Sequence, residues 1–151
     1  MTIFTLIKVT HVLLAIVAIG FNATYGIWLA RAAREPSHRM FVLNGIKILD
    51  DRVANPAYVL LIVTGLLMVA IAEIPLQTFW VAASLVLYAA LVILGLGVYS
   101  PTLRRQIAML EPSEPTSEAY HRLERRGAVA GGALAVLSIL IVTLMVTKPT
   151  L

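Results

Sequence analysis

The amino-acid sequence predicts an all-α polytopic membrane protein, a bundle of four transmembrane helices with both termini outside. The first observation is composition: 60% of the 151 residues are hydrophobic and 13% are charged. A soluble domain has about half its residues apolar and about a quarter charged. The second observation is a set of four long apolar stretches, and the third is the distribution of lysine and arginine between them.

The four apolar stretches cover about residues 3–30, 54–74, 79–99 and 128–146. Each is close to or above the roughly 20 residues that cross about 30 Å of hydrocarbon as a helix. A helix is required because backbone polar groups in lipid must be paired within the segment. The first stretch lacks a basic leading region and exceeds the apolar run of about 7–15 residues in a cleavable signal peptide. We therefore expect it to remain as the first helix of a single domain.

The basic residues indicate the orientation. The connectors 31–53 and 100–127 contain ten lysines and arginines, whereas the short connector around Pro75 contains none. The positive-inside rule therefore places both basic connectors in the cytoplasm and both termini outside. This pattern is typical of a multi-pass protein of the cytoplasmic membrane, in contact with lipid. Because the basic residues separate apolar runs, they do not predict nucleic-acid binding.

Several classes of site are excluded by what the sequence lacks. The chain has no cysteine, which excludes disulfides, zinc–thiolate sites and cysteine-bound iron–sulfur clusters. It also contains no P-loop and no dinucleotide-binding glycine motif.

Small and polar residues predict the faces along which the helices pack, because helices in lipid associate through such residues. On the first helix, Asn22 belongs to a small and polar stripe that we expect to face protein: His11, Ala15, Ala18, Asn22 and Tyr25. On the fourth, a ladder of small residues is the sharpest packing signal: Gly127, Gly131, Ala135 and Ser138. This ladder is also a candidate surface for self-association or for other membrane subunits.

The predicted topology gathers four candidate ligands in the outer half of the bundle: Lys8, His11, Met68 and Met145. Ionisable residues within a membrane are costly and are functional candidates by default. Haem b would take His11 as one axial ligand, with a methionine, a lysine or water opposite. Cu(I) would suit the His11 imidazole together with the thioethers of Met68 and Met145. Both cofactors stay open at this point.

Two connector segments have a predicted structure. The stretch DDRVANP, from Asp50 to Pro56, is typical of a helix start, with acidic residues followed by proline in the first turn. Its charged residues are candidates to pair with the arginines at 122, 125 and 126 of the other connector. Ser117 is the predicted cap of an amphipathic stretch that leads into the fourth helix.

Short motifs support a resemblance to a known family. KVTH (with Lys8 and His11), DDRVANP, the VTG at Thr64–Gly65 and the terminal LMVTKP occur in this order along the chain. Together they resemble a bacterial family of predicted integral membrane proteins that carry a domain of unknown function. The resemblance implies a four-helix membrane protein and no established activity.

The layout is more distantly similar to four-helix, haem-b protoporphyrinogen IX oxidases and to membrane copper-resistance proteins. In the oxidases a lysine–x–x–histidine motif supplies the haem-binding histidine, and His11 matches it. Their fourth helix ends in a lysine–proline pair, matched by Lys148 and Pro149. Their essential lysine after a tryptophan of the third helix is replaced here by Ser84.

Three functional hypotheses follow from the sequence. The first is an integral membrane protein without a cofactor, such as an accessory subunit of a membrane complex. The second is a haem-b redox protein that uses His11. The third is a copper-handling protein that uses His11 with Met68 and Met145.

Overall fold

The computed structural model describes residues 2–110 and 117–149, and within these ranges it contains helices and no strand. The helices are α1 (Ile3–Arg34), α2 (Arg39–Leu49), α3 (Asn55–Ile71), α4 (Phe79–Leu94), α5 (Ser100–Leu110) and α6 (Glu118–Thr147). Because α2 runs into α3 and α4 into α5, four continuous helices are long and apolar enough to cross a membrane. The all-α class with four candidate spans is therefore confirmed. The side on which the termini lie stays a prediction.

The helices extend well beyond the apolar stretches. The second begins at Pro36 and the third continues to Leu110, so much of both predicted connectors is helical. Pro56 of DDRVANP lies in the first turn of α3, but α3 continues from α2, so this segment does not start a separate helix as predicted. Ser117 does cap α6, since its hydroxyl accepts a 3.3 Å hydrogen bond from the Tyr120 N–H.

Proline explains why DDRVANP gave a misleading signal. Two wide π-turns interrupt the long helices, Asp50–Ala54 and Gly95–Tyr99, and each ends two residues before a proline, Pro56 or Pro101. Proline lacks an N–H and its ring clashes with the carbonyl one turn back, which normally ends or kinks a helix. In both π-turns the N–H of the residue before the proline bonds to a carbonyl five residues back. The wider turn lets each helix pass its proline.

The bundle is packed unevenly. α1 packs mainly against α3, α4 packs mainly against α6, and α1 also touches α6. Among the described elements, no Cα atom of α3 comes within 8 Å of α4 or α6. The larger apolar core lies at the connector end of the bundle, formed by Tyr25, Leu43, Ile46, Tyr99, Leu103, Ile107 and Ala130. A smaller one lies between α1 and α3, around Ala18, Ala57 and Leu61.

The outward faces of the bundle are apolar. Ile16 of α1, Val86 of α4 and Val146 of α6 are all more than half exposed. Surfaces of this kind on a helix of spanning length are solvated by lipid tails rather than water. The bilayer is therefore the solvent of these faces.

Candidate functional site

His11 is held by the neighbouring helix α3. Its Nδ1 atom lies 2.8 Å from the Thr64 hydroxyl oxygen. The Thr64 hydroxyl also lies 2.7 Å from the backbone carbonyl of Leu60, to which it donates its single hydrogen. The oxygen therefore accepts from an Nδ1–H group, and we assign His11 the tautomer with an unprotonated Nε2. This arrangement leaves the Nε2 lone pair as the ring's free acceptor.

Gly65 gives the imidazole room to lie against α3. A Cβ atom built on Gly65 would stand only 3.3 Å from the Cε1 atom of His11. That spacing is tighter than ordinary van der Waals contact, so a side chain here would press on the ring. Thr64 and Gly65 thus form one docking position, in which the first residue bonds the ring and the second accommodates it. The VTG motif carried this signal in the sequence, although its role as the His11 partner was not predicted.

The other predicted ligands lie on three different helices and differ in their exposure. Lys8, one turn from His11, is exposed, while Met68 and Met145 are partly buried. Met68 lies one helical turn after Thr64 and so on the same side of α3. Met145 belongs to α6, near the end at which the Lys148 ammonium lies 5.4 Å from the centre of the Trp80 ring of α4. His11 therefore contacts the side of α3 that carries Met68, whereas the end of α6 that carries Met145 contacts α4.

The donor groups around His11 differ from those of a metal site built from histidine, cysteine and carboxylate side chains. The described residues contain no group of three or more histidine, cysteine, aspartate or glutamate side chains that can hold a metal ion. The thioethers that Cu(I) would take belong to different helices, Met68 to α3 and Met145 to α6. Haem supplies four of its own iron ligands, so a single histidine suits it.

Tyr58 of α3 links three helices next to this site. The Asn22 side chain of α1 donates to the Ala18 carbonyl at 2.8 Å and to the Tyr58 hydroxyl at 3.2 Å. The Tyr88 hydroxyl of α4 donates to the Tyr58 carbonyl at 2.5 Å. Because α3 and α4 have no close backbone contact, this tyrosine pair spans the distance between them.

The ladder of small residues on α6 packs mostly within the chain. A Cβ atom on Gly127 would lie 3.7 Å from the Thr102 side chain, and one on Gly131 would lie 3.6 Å from the Tyr99 ring. Ser138 is buried and bonds to the Leu134 carbonyl at 2.9 Å, whereas Ala135 is exposed. The two glycines thus allow close approach of the helix that runs from α4 to α5. Association with other subunits or with a second copy stays a prediction.

The acidic pair at the inner end is arranged differently from the prediction. Asp51 forms ion pairs with Lys47 and, at 3.8 Å, with Arg104. The predicted partners on α6 were therefore wrong, because DDRVANP lies within a helix beside α5. Asp50 is buried at 7% exposure and lies near Tyr25 and Tyr99. Sequence reasoning treated it as solvated and missed this position.

Two buried hydroxyl groups have no hydrogen-bond partner within residues 2–110 and 117–149, those of Tyr25 and Ser84. Unpaired buried polar atoms are uncommon in native structures and mark sites that merit a test.

The helices, their apolar faces and the polar contacts between them define a multi-pass integral membrane protein with four candidate spans. Residues 5–149 match the family described as "Predicted integral membrane protein (DUF2269)", and the chain belongs to this family. Among curated proteins and among solved structures, no match to the chain is found. The resemblance to a family of integral membrane proteins is thus confirmed. The more distant similarity to the oxidases and the copper-resistance proteins stays a prediction.

Proposed function

We propose that this protein binds haem b in the membrane and that His11 is one axial ligand of the iron. The observation that carries the proposal is the hydrogen bond between His11 Nδ1 and Thr64. Metal-ligating histidines almost always donate their other ring N–H to a fixed acceptor, which sets the tautomer and the ring orientation. The Thr64 oxygen is such an acceptor, and it leaves Nε2 available for iron.

The choice of haem over a copper ion rests on the donor set. His11 is an intramembrane imidazole, and the described residues contain no group of three or more histidine, cysteine, aspartate or glutamate side chains around it. A porphyrin brings its own four nitrogens, so the chain needs to supply only one or two axial groups. Which group would take the second position stays open, because Met68 follows Thr64 by one turn of α3 and so lies on the side of the ring that Nδ1 faces.

The residues of the chain would hold and orient the ring. Thr64 would fix the imidazole through Nδ1, and Gly65 would let it lie close to α3, while the apolar residues around them exclude water. Bound haem would supply one-electron redox chemistry in this apolar setting. The orientation of His11 is then set before haem binds, which lowers the cost of binding.

An absorbance spectrum of the detergent-solubilised protein, oxidised and then reduced with dithionite, tests the proposal. The protein should be expressed with haem freely available, and we expect a Soret band with reducible α and β bands. His11→Ala should abolish these bands. The matched control is His38→Ala, an exposed histidine beside Glu35 at the other end of α1, which should keep the full spectrum.

Two results would contradict the proposal. One is a clean protein spectrum from the wild-type chain under these conditions. The other is a Soret band that persists in a His11→Ala protein that elutes as a single species on gel filtration. In either case His11 would be a packing residue that joins α1 to α3. The clean spectrum would favour the cofactor-free hypothesis, whereas the persistent band would mean that another residue holds the haem iron.

A further inference from the structure

The lipid-facing side of α4 and α6 contains a groove whose two ends differ in chemistry. Its volume is about 410 Å³, and its lining residues are Leu94, Val98, Arg122, Arg125, Arg126, Val129, Ala130 and Ala133. Three of these are arginines, none is acidic, and the others are apolar. The groove lies away from His11 and has no part in the proposed haem site.

The arginines and the apolar residues occupy different levels of the groove. Arg122, Arg125 and Arg126 lie near the N-terminal end of α6, and Val129 and Ala133 follow one to two turns deeper along the same side. From Arg122 to Ala133 the helix rises about 16 Å at about 1.5 Å per residue. The groove is therefore cationic at the membrane boundary and apolar inside it.

Charge complementarity identifies the occupant. Arg122 bonds to Glu118 at 2.7 Å, and Glu124 lies 3.3 Å from His121. Among the ion pairs of the described residues, neither Arg125 nor Arg126 takes part. Guanidinium groups bind phosphate through paired hydrogen bonds. An anionic headgroup joined to acyl chains would satisfy both ends of the groove at once.

We propose that this groove binds one anionic phospholipid, whose phosphate contacts Arg125 and Arg126 and whose acyl chain lies along Leu94, Val98 and Val129. Basic sites between helices on the cytoplasmic side of a membrane are known to hold such headgroups. Val129 is 67% exposed, so the apolar wall is open to the bilayer. The predicted orientation places this site in the cytoplasmic leaflet, where anionic lipids attract basic segments.

Native mass spectrometry of the detergent-solubilised protein tests the site. The protein is titrated with phosphatidylglycerol or with phosphatidylcholine of identical acyl chains, and with soluble glycerol phosphate in a third arm. We expect tighter binding of phosphatidylglycerol than of phosphatidylcholine, and no binding of glycerol phosphate. The double variant Arg125→Gln, Arg126→Gln should weaken phosphatidylglycerol binding about 30-fold, since each basic residue near the surface contributes about five- to sixfold and the two factors multiply.

Two further variants distinguish binding in the groove from non-specific attraction of the anionic lipid to positive charge. Arg31→Gln with Arg34→Gln removes the same number of charges from the end of α1 and should leave the lipid preference unchanged. Val129→Trp fills the groove at an exposed position and should lower phosphatidylglycerol binding without affecting folding.

Three results would overturn the proposal. Equal binding of the two lipids would show that the headgroup is not recognised. Equal losses of phosphatidylglycerol affinity in the Arg125/Arg126 and Arg31/Arg34 double variants would show that positive charge acts without a specific site. A Val129→Trp protein that changes its oligomeric state, while it keeps its lipid preference, would make this face a contact between copies.

Discussion

The Tyr88 hydroxyl of α4 donates a hydrogen bond of 2.5 Å to the backbone carbonyl of Tyr58 in α3. The carbonyl has two lone pairs, so it can accept this bond in addition to its helical one. The two helices have no Cα atoms within 8 Å of each other. A long side chain therefore makes the connection that backbone packing makes elsewhere in the bundle.

Removal of this hydroxyl should loosen the contact between α3 and α4. We expect Tyr88→Phe to lower the free energy of unfolding by about 0.6–1.7 kcal/mol, the range measured for hydrogen bonds between membrane helices. Unfolding by sodium dodecyl sulfate in mixed micelles, followed by circular dichroism, measures this change. An unchanged midpoint would show that the hydrogen bond contributes nothing to the pairing of the two helices.

Tyr25→Phe is the matched substitution, and we expect that it does not lower the free energy of unfolding. Tyr25 is 3% exposed, and its hydroxyl has no partner within the described part of the chain. An unpaired buried polar group costs about 1–3 kcal/mol. Its removal should therefore leave stability unchanged or raise it by up to about 1 kcal/mol in the same assay. A loss as large as that of Tyr88→Phe would reveal a partner for this hydroxyl, with nearby Asp50 as the first candidate.

Thr64→Val tests the residue that orients His11. Valine keeps the shape of threonine but cannot accept a hydrogen bond, so the Nδ1–H group loses its acceptor. Loss of such a partner typically costs about 10–100-fold in metal affinity. In a haem titration of the cofactor-free protein, we expect the dissociation constant to be about 10–100-fold larger than that of the wild type. The Soret band should be regained at saturation. Thr64→Ser, which keeps the oxygen, should bind as the wild type does, and equal binding by the valine variant would exclude an orienting role.

Gly65→Ala should disturb the same position by steric pressure. The new Cβ atom would stand 3.3 Å from His11 Cε1, so the ring must shift while Thr64 holds its Nδ1 atom. Overpacking of this kind costs about 1–3 kcal/mol. Gly20→Ala is the control, because nothing lies within 4 Å of its added Cβ and alanine favours a helix by about 0.5–1 kcal/mol. Both variants gain the helix preference of alanine, so Gly65→Ala should unfold at a lower detergent midpoint than Gly20→Ala, and equal midpoints would contradict the close approach at Gly65.

Much of the fold followed from the sequence because apolar length and small-residue stripes act locally. The stripe of α1 is an instance: Ala18 and Tyr25 are buried, and His11 and Asn22 are partly buried. Helix ends marked by a side-chain cap or a lysine–proline pair were also found, at Ser117 and Lys148. These signals need no knowledge of which helices are neighbours.

What the sequence did not reveal depends on neighbours or on an unusual backbone. Proline normally ends a helix, so two helices that continue through π-turns ahead of Pro56 and Pro101 were read as shorter. That misreading placed Asp51 in a solvated connector and assigned it partners on α6 rather than on α5. The pairing of His11 with Thr64 joins residues 53 positions apart, and no local pattern specifies such a pair.

The orientation of the bundle rests on the charge distribution and has a direct test. The chain has no cysteine, so single cysteines can be introduced without a background. Ser37 and Gln77 are exposed and lie in opposite turns of the bundle. In intact cells a membrane-impermeant maleimide should label Gln77→Cys and should label Ser37→Cys only after the membrane is disrupted, because basic connectors stay in the cytoplasm. The reverse pattern would put both termini inside, and would also move the arginines of the α4–α6 groove to the outer leaflet.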